Sequence, residues 1–260
     1  MAITVYPPYG SSSNPSYVIT NTENTVSAPW FVQVARGLIP GVSSVNIFGY
    51  QASVGTSSGI PVWENTTAYT FPASAATLTI ASTSASDTSS KIVLIQGLDA
   101  SYNQISETIA LNGTSNVTSV NSYFRVNSVL FTNNINVGTI TFKQGSNIVA
   151  QINPSIGKNQ AAIYTVPAGY TFYGNRFTGF TDEGGGGNNY TIWLANAKNA
   201  VTGQNFIVAQ APFFGQYLIQ RTVPFTYTEK TDIQWQLAVG TSTSPCGVNV
   251  EGILISNTAT

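Results

Sequence analysis

The chain has 260 residues, no histidine, nine basic and ten acidic side chains, and a net charge of -1. An ordinary soluble domain carries roughly a quarter of its residues as Asp, Glu, Lys or Arg; at 7% the surface here is left to Ser, Thr, Asn, Gln and backbone. Without histidine the usual triads and zinc sites are excluded, and without a basic block so is phosphate recognition, hence nucleic acid.

Residues 1–24 hold Pro7, Pro8 and Pro15, three consecutive serines, and Tyr6, Tyr9 and Tyr17. Proline removes ladder donors and favours extended backbone, so this tract reads as an arm, its tyrosines candidate interface residues. The Met-Ala-Ile-Thr start has no basic n-region or apolar h-region, and no window approaches the ~20 apolar residues of a membrane helix. The expectation is a chain made in a host cytoplasm, soluble and without a membrane partner. Residues 27–38 suit a short helix or a strand with Trp30, Val32 and Val34 on one face. From there strand signals dominate: Val45–Tyr50, Thr77–Ile80, Lys91–Ile95, Phe124–Phe131 and Thr139–Phe142. A Gly/Asn/Ser-rich tract over 144–159 precedes the turn Pro167-Ala168-Gly169. Beyond it come strand patterns at Tyr170–Tyr173, Tyr190–Ala195, Phe206–Gln210, Tyr217–Gln220, Ile233–Val239 and Val248–Ile255, with Leu194–Val201 a rival helical reading. Gly184–Gly187 lack the Lys and Ser/Thr of a phosphate loop and read as a hairpin tip. Cys246 sits in a Pro-Cys-Gly turn with no partner cysteine, and it reads as a buried thiol.

The fold class is therefore all-β, with an arm over 1–24, a β-rich domain over 25–160 and a jelly-roll-like β-sandwich over 161–260. The last is expected to fold by itself.

No constellation for chemistry emerges. The carboxylate pairs are Asp182 with Glu183 on the polyglycine tip, and Glu229 with Asp232 in a turn where Lys230 neutralises them; both read as turn residues rather than a glycosidase pair. Ser155 and Lys158 have the bare Ser-X-X-Lys spacing but lie in a loop. No dense carboxylate loop for calcium exists. The reading is a non-enzyme with no catalytic residues, no cofactor and no metal. Phe213, Phe214 and Tyr217, around a turn, are candidates for a protein interface or a sugar platform.

The stretches Thr165–Tyr173, Val223-Pro224-Phe225, Glu229–Ile233 and Gly247–Ile255 resemble small virion structural proteins of tailed bacteriophages, particularly those of marine bacteria and cyanobacteria. Ala35–Gly41, Phe71-Pro72-Ala73, Gly97-Leu98-Asp99 and Leu111–Thr114 extend the resemblance over most of the chain. It implies a component of the virion: a capsid decoration or cement protein, or a head knob, bound to the major capsid protein or neighbouring virion proteins as a homotrimer. The alternative is a tail or fibre component recognising a host surface glycan. With so few charges, association is expected to depend weakly on salt, and Arg36, Arg125, Arg176 and Arg221 are the cations best suited to burial in an interface.

Overall fold

The computed structural model describes residues 28–54, 60–181, 191–213, 215–239 and 244–259. It begins with α1 (Trp30–Ala35), one and a half turns entered through Pro29 and closed at Gly37, whose φ is 68°. Pro before the first turn and Gly after the last are the expected punctuation of so short a helix. Val34 turns inward, whereas Trp30 and Phe31 are exposed.

Every other regular element among the described residues is a strand. β1 (Val42–Val54) and β2 (Ile60–Pro61) open one body; β3 (Ala76–Ser82), β4 (Ile92–Leu98), β5 (Gln104–Ala110), β6 (Val117–Tyr123), β7 (Arg125–Phe131), β8 (Ile140–Gln144) and β9 (Asn147–Ile152) build a second. The chain then returns to the first through β10 (Ile163–Thr165), β11 (Tyr170–Thr181), β12 (Thr191–Asn199), β13 (Asn205–Phe213), β14 (Gln216–Tyr227), β15 (Thr231–Val239) and β16 (Ser244–Ser256). The all-β expectation holds.

The first body has one sheet in the order β1-β16-β11-β14 and a facing one in the order β10-β15-β12-β13, with β2 also on β15. Because β2 meets Gln236 and Leu237 while β10 meets Asp232 through Gln234, the two short strands follow one another along the same edge of β15. Treated as one interrupted strand, they complete a nested scheme. The first strand pairs with the last, the second with the second-last, β11 with β14 and β12 with β13. That nesting is one long hairpin rolled up into two sheets, which is the jelly roll. Its core holds Ile47, Val54, Val62, Phe172, Phe177, Trp235, Leu237, Val248 and Val250.

The second body is inserted into that interrupted strand. Its sheets, β6-β3-β8-β9 and β5-β4-β7, enclose Leu78, Ile80, Val93, Ile95, Tyr123, Val129, Ile140 and Phe142. The strands here alternate cleanly, as in Ala76–Ser82 and Ile92–Leu98, so one face of each sheet is apolar and the other meets water. β1 and β2, placed by sequence with the first domain, thus pair with strands of the second, and residues 76–152 form a sandwich between them.

The crossing point is tight. Chain leaves at Val62 and comes back at Ala162, whose N–H donates to Val62 O at 2.7 Å, while the Ala162 carbonyl accepts from Trp235 N–H at 3.0 Å. β1 passes directly over this point at Gly49, where a β-carbon would lie 2.5 Å from both Ala162 Cβ and Val62 O. Glycine is required there by the close approach of two backbones.

Several local readings change with the fold. Leu194–Val201 is not helical; most of it lies in β12, between β13 and β15. Cys246 lies in β16 rather than in a turn, paired with Gln51 and Thr181. The tract over 144–159 contains β9.

Candidate interaction site at the junction of the sandwiches

The two bodies are joined by a buried ion pair. Arg125, first residue of β7, sends Nε to Asp232 Oδ1 and Nη2 to Asp232 Oδ2, both at 2.8 Å. Its Nη1 donates to the carbonyls of Pro72 and Phe124, each at 2.8 Å. Asp232, in β15, also accepts the Thr165 hydroxyl at 2.7 Å. Both side chains are nearly inaccessible, at 5% and 6% exposure. Phe124, Phe71 and Tyr102 surround the guanidinium, with ring centroids 4.0, 5.0 and 5.7 Å from its central carbon. A planar fork that bonds bidentately and stacks on rings is what arginine supplies and lysine does not. The partner of Asp232 is therefore Arg125, not Lys230: Lys230 adopts φ 60° and offers its N–H to Val166 O, while Glu229 accepts Gly169 N–H. Arg125 is likewise withdrawn from any outer interface. Beside this clamp Trp63, Tyr69 and Phe71 meet edge to face over Ile163, a small apolar seam between the bodies.

A second buried acid stands where the chain leaves the jelly roll. Glu64 Oε1 accepts Gln160 N–H, but Oε2 has no hydrogen-bond partner among the described residues, and neither has the nearby strand's buried Gln51 Oε1. Burial pushes the Glu64 carboxyl up to about 8, against the lowering effect of the Gln160 N–H. In the folded chain it is neutral up to that pH; unfolded, it ionises from 4.5. Between those values unfolding releases a proton, so the contribution of this carboxyl to stability falls as pH rises from about 4.5 to 8 and is constant outside that window. Glu64→Gln, which keeps an acceptor for Gln160, is expected to match the parent at pH 4.5 and to exceed it by a few kcal/mol above pH 8. Urea unfolding followed by tryptophan fluorescence at the two pH values checks this.

Beside the clamp the sandwiches part to leave a cleft of about 390 Å³, within the ~300–1,000 Å³ of small-ligand and peptide-anchoring sites. Ser43, Ser44 and Asn46 of β1 form one wall, Gln96 of β4 and Gln104 of β5 the other, and Lys158 stands at the rim. None of these side chains makes a hydrogen bond to a described residue, and among the described residues no Asp or Glu lines the space. Tyr164 and Leu254, both buried, floor it. This cleft was not legible in the sequence, since its walls belong to different sandwiches: β1 is paired with β16 at the far end of the chain, whereas the β4–β5 hairpin lies in the inserted body.

The sequence candidates fall elsewhere. Tyr6, Tyr9, Tyr17 and Phe214 lie outside the described residues, as do Asp182, Glu183 and Gly184–Gly187. Phe213 ends β13. Tyr217 is half-buried in β14 and packs on the jelly-roll core, and that burial raises its phenol above the ordinary range. Among the remaining cations, Arg176 faces Glu251 at 3.6 Å and Arg221 stacks on Phe225 at 4.1 Å. Asp99 binds the N–H groups of Ser101 and Asn103, the role of a turn aspartate. Asp87 is buried under Ser82 Oγ and the N–H groups of Val137 and Gly138; burial raises its carboxyl, yet these bonds and Lys91 together hold it below the usual range. Both carboxylates are occupied by their own chain. Cys246 is buried with Sγ 3.3 Å from the Thr181 hydroxyl. Among the described residues no group of three or more Cys, Asp or Glu could hold a metal ion.

No family model matches the chain, and no curated protein matches it. Two solved structures overlap it in part. One is of infectious bursal disease virus, Gx strain, at 11% identity over 89% of this chain and 77% of that one, with a TM-score of 0.23. The other is a mutant VP2 protein of infectious bursal disease virus in derived T=1 particles, at 10% identity over 88% and 84%, with a TM-score of 0.13. At such scores the likeness carries no argument about this chain.

Proposed function

We propose that the chain is a structural protein of a bacteriophage virion, a capsid decoration protein or head knob that binds the major capsid protein as a homotrimer. The observation that carries the reading is a jelly roll and an inserted sandwich clamped into one body beneath a nearly uncharged surface. Jelly rolls serve in viral capsids and lectins, and a fold alone does not choose between them. Composition favours the structural role: with no histidine and with Asp87 and Asp232 committed to structural contacts, the chain offers broad neutral sheet faces and little for catalysis. Attachment at many lattice positions multiplies individually modest contacts.

Copy number tests it. Quantitative mass spectrometry of purified particles is expected to find the chain at a stoichiometry near that of the major capsid protein. A dozen copies or fewer, at a single vertex, would assign it to the tail and sink the decoration reading.

Salt offers a second check. Contacts between nearly neutral surfaces have little Coulomb attraction to screen, so occupancy on the particle is expected to change less than about tenfold, ~1.4 kcal/mol, between roughly 0.1 and 1 M NaCl. Loss of most copies over that range would mean that Arg36, Arg176 and Arg221 are gathered at the contact.

A further inference from the structure

The outer edge of β1 opens into the cleft. Gly41 O accepts Ser256 N–H at 2.7 Å, and the register continues with Ser43 opposite Leu254, Val45 opposite Gly252 and Ile47 opposite Val250. In an antiparallel ladder alternate residues exchange hydrogen bonds and the others point away. The odd-numbered residues of β1 therefore bond β16, and the even-numbered ones direct N–H and C=O outward. Two of those outward positions are used: Val42 N–H reaches Ile39 O and Tyr50 N–H reaches Gln160 O, each at 3.2 Å. Between them the outward groups of Ser44, Asn46 and Phe48 have no backbone partner among the described residues, and all three residues line the cleft. They present three donors and three acceptors at a two-residue repeat, which is half of a β-ladder.

We propose that Ser44–Phe48 is a strand-acceptor site, at which an extended peptide segment of another polypeptide pairs with β1 and is held between it and the β4–β5 wall. Backbone groups repeating every two residues match another polypeptide and do not match the spacing of sugar hydroxyls. An uncovered strand edge is an open invitation to pairing unless a charge, a proline or a bulge blunts it; Ser44, Asn46 and Phe48 do none of these. Charge selects the guest further. Among the described residues that line the cleft, Lys158 is the one cation and no carboxylate accompanies it, so the guest strand carries an acidic side chain that reaches the rim. The site stands independently of the virion reading.

The test uses the register. Asn46→Pro removes an N–H that only the guest would use, leaving the bonds to β16 in place, and proline is tolerated on an edge strand in that orientation. Val45→Pro is the control, since it removes a bond to β16 and is expected to lower the melting temperature while Asn46→Pro leaves it within a few degrees. Randomised heptapeptides are selected on the full chain and the winners measured by fluorescence anisotropy. The expected winners combine β-branched residues with one Asp or Glu, lose at least tenfold in affinity on folded Asn46→Pro, and weaken several-fold on Lys158→Glu. No peptide above background, winners that bind Asn46→Pro as well as the parent, or cellotetraose binding in the cleft that Asn46→Pro leaves unchanged would each overturn the proposal.

Discussion

Asp232→Ala is expected to cost about 3–5 kcal/mol of unfolding free energy, because it strands the Arg125 guanidinium, 5% exposed, among three rings. Arg125→Met is expected to cost a similar amount, since Asp232 keeps the Thr165 hydroxyl but loses both guanidinium bonds. Removing both charges at once, as Arg125→Met with Asp232→Leu, should recover most of the loss, since a buried pair is costly to break and often nearly neutral to replace. Urea melts of the two single variants and the double variant form a cycle whose coupling term isolates the pair. Additive losses would mean that Arg125 and Asp232 stabilise the fold independently rather than as a pair.

The second large effect concerns which pieces fold. Residues 161–260 alone lack β1 and β2, and with them Ile47, Val54 and Val62 of the jelly-roll core and the whole partner of one edge of β16. Large-to-small losses at single core positions already cost about 2–5 kcal/mol, and a domain's entire stability is of order 5–15 kcal/mol. That fragment should therefore be unfolded or insoluble. Excising residues 63–161 instead, with a short Gly/Ser link from Val62 to Ala162 and Asp232→Asn to relieve the orphaned charge, should leave a jelly roll with a single cooperative melt. The two residues already share a hydrogen bond, so the link spans almost nothing. A β-type circular dichroism spectrum from residues 161–260 and none from the excised chain would reverse the assignment of β1 and β2.

What the sequence showed and what it hid follow from range. Alternation is a local signal, so Val45–Tyr50, Thr77–Ile80 and Lys91–Ile95 were readable as strands and all lie in or against β1, β3 and β4. Partners are not local. Nothing near Asp232 marks Arg125 as its counter-ion, and Lys230 beside it is a closer but wrong choice. Helix formers such as Leu194, Ala195, Ala197 and Lys198 favoured a helix, yet two flanking strands override that weak preference. Pro245-Cys246-Gly247 had the letters of a turn for a different reason. Gly247 is small because the Phe180 ring lies over it, where a β-carbon would come within 2.1 Å of the ring. Of the tyrosines and phenylalanines singled out, Tyr217 turned inward to the core, and the cleft is built instead from serines, amides and a strand edge that carry no composition signal.

The nested pairing has a consequence in time. Val42 is matched with Ile255, so the jelly roll's outermost hairpin cannot close until Ile255 has left the ribosome. At about 5–20 residues per second that wait is on the order of ten seconds, during which β1 has no mate. The inserted sandwich has all its strands by Ile152 and its contacts are far shorter in range. Low contact order favours early formation, so it should be complete while the jelly roll is still an open ribbon, leaving Val62 and Ala162 already side by side when β15 arrives. The inserted body thus acts as a template during synthesis: it closes the largest loop in the jelly roll before the strands that need that closure exist.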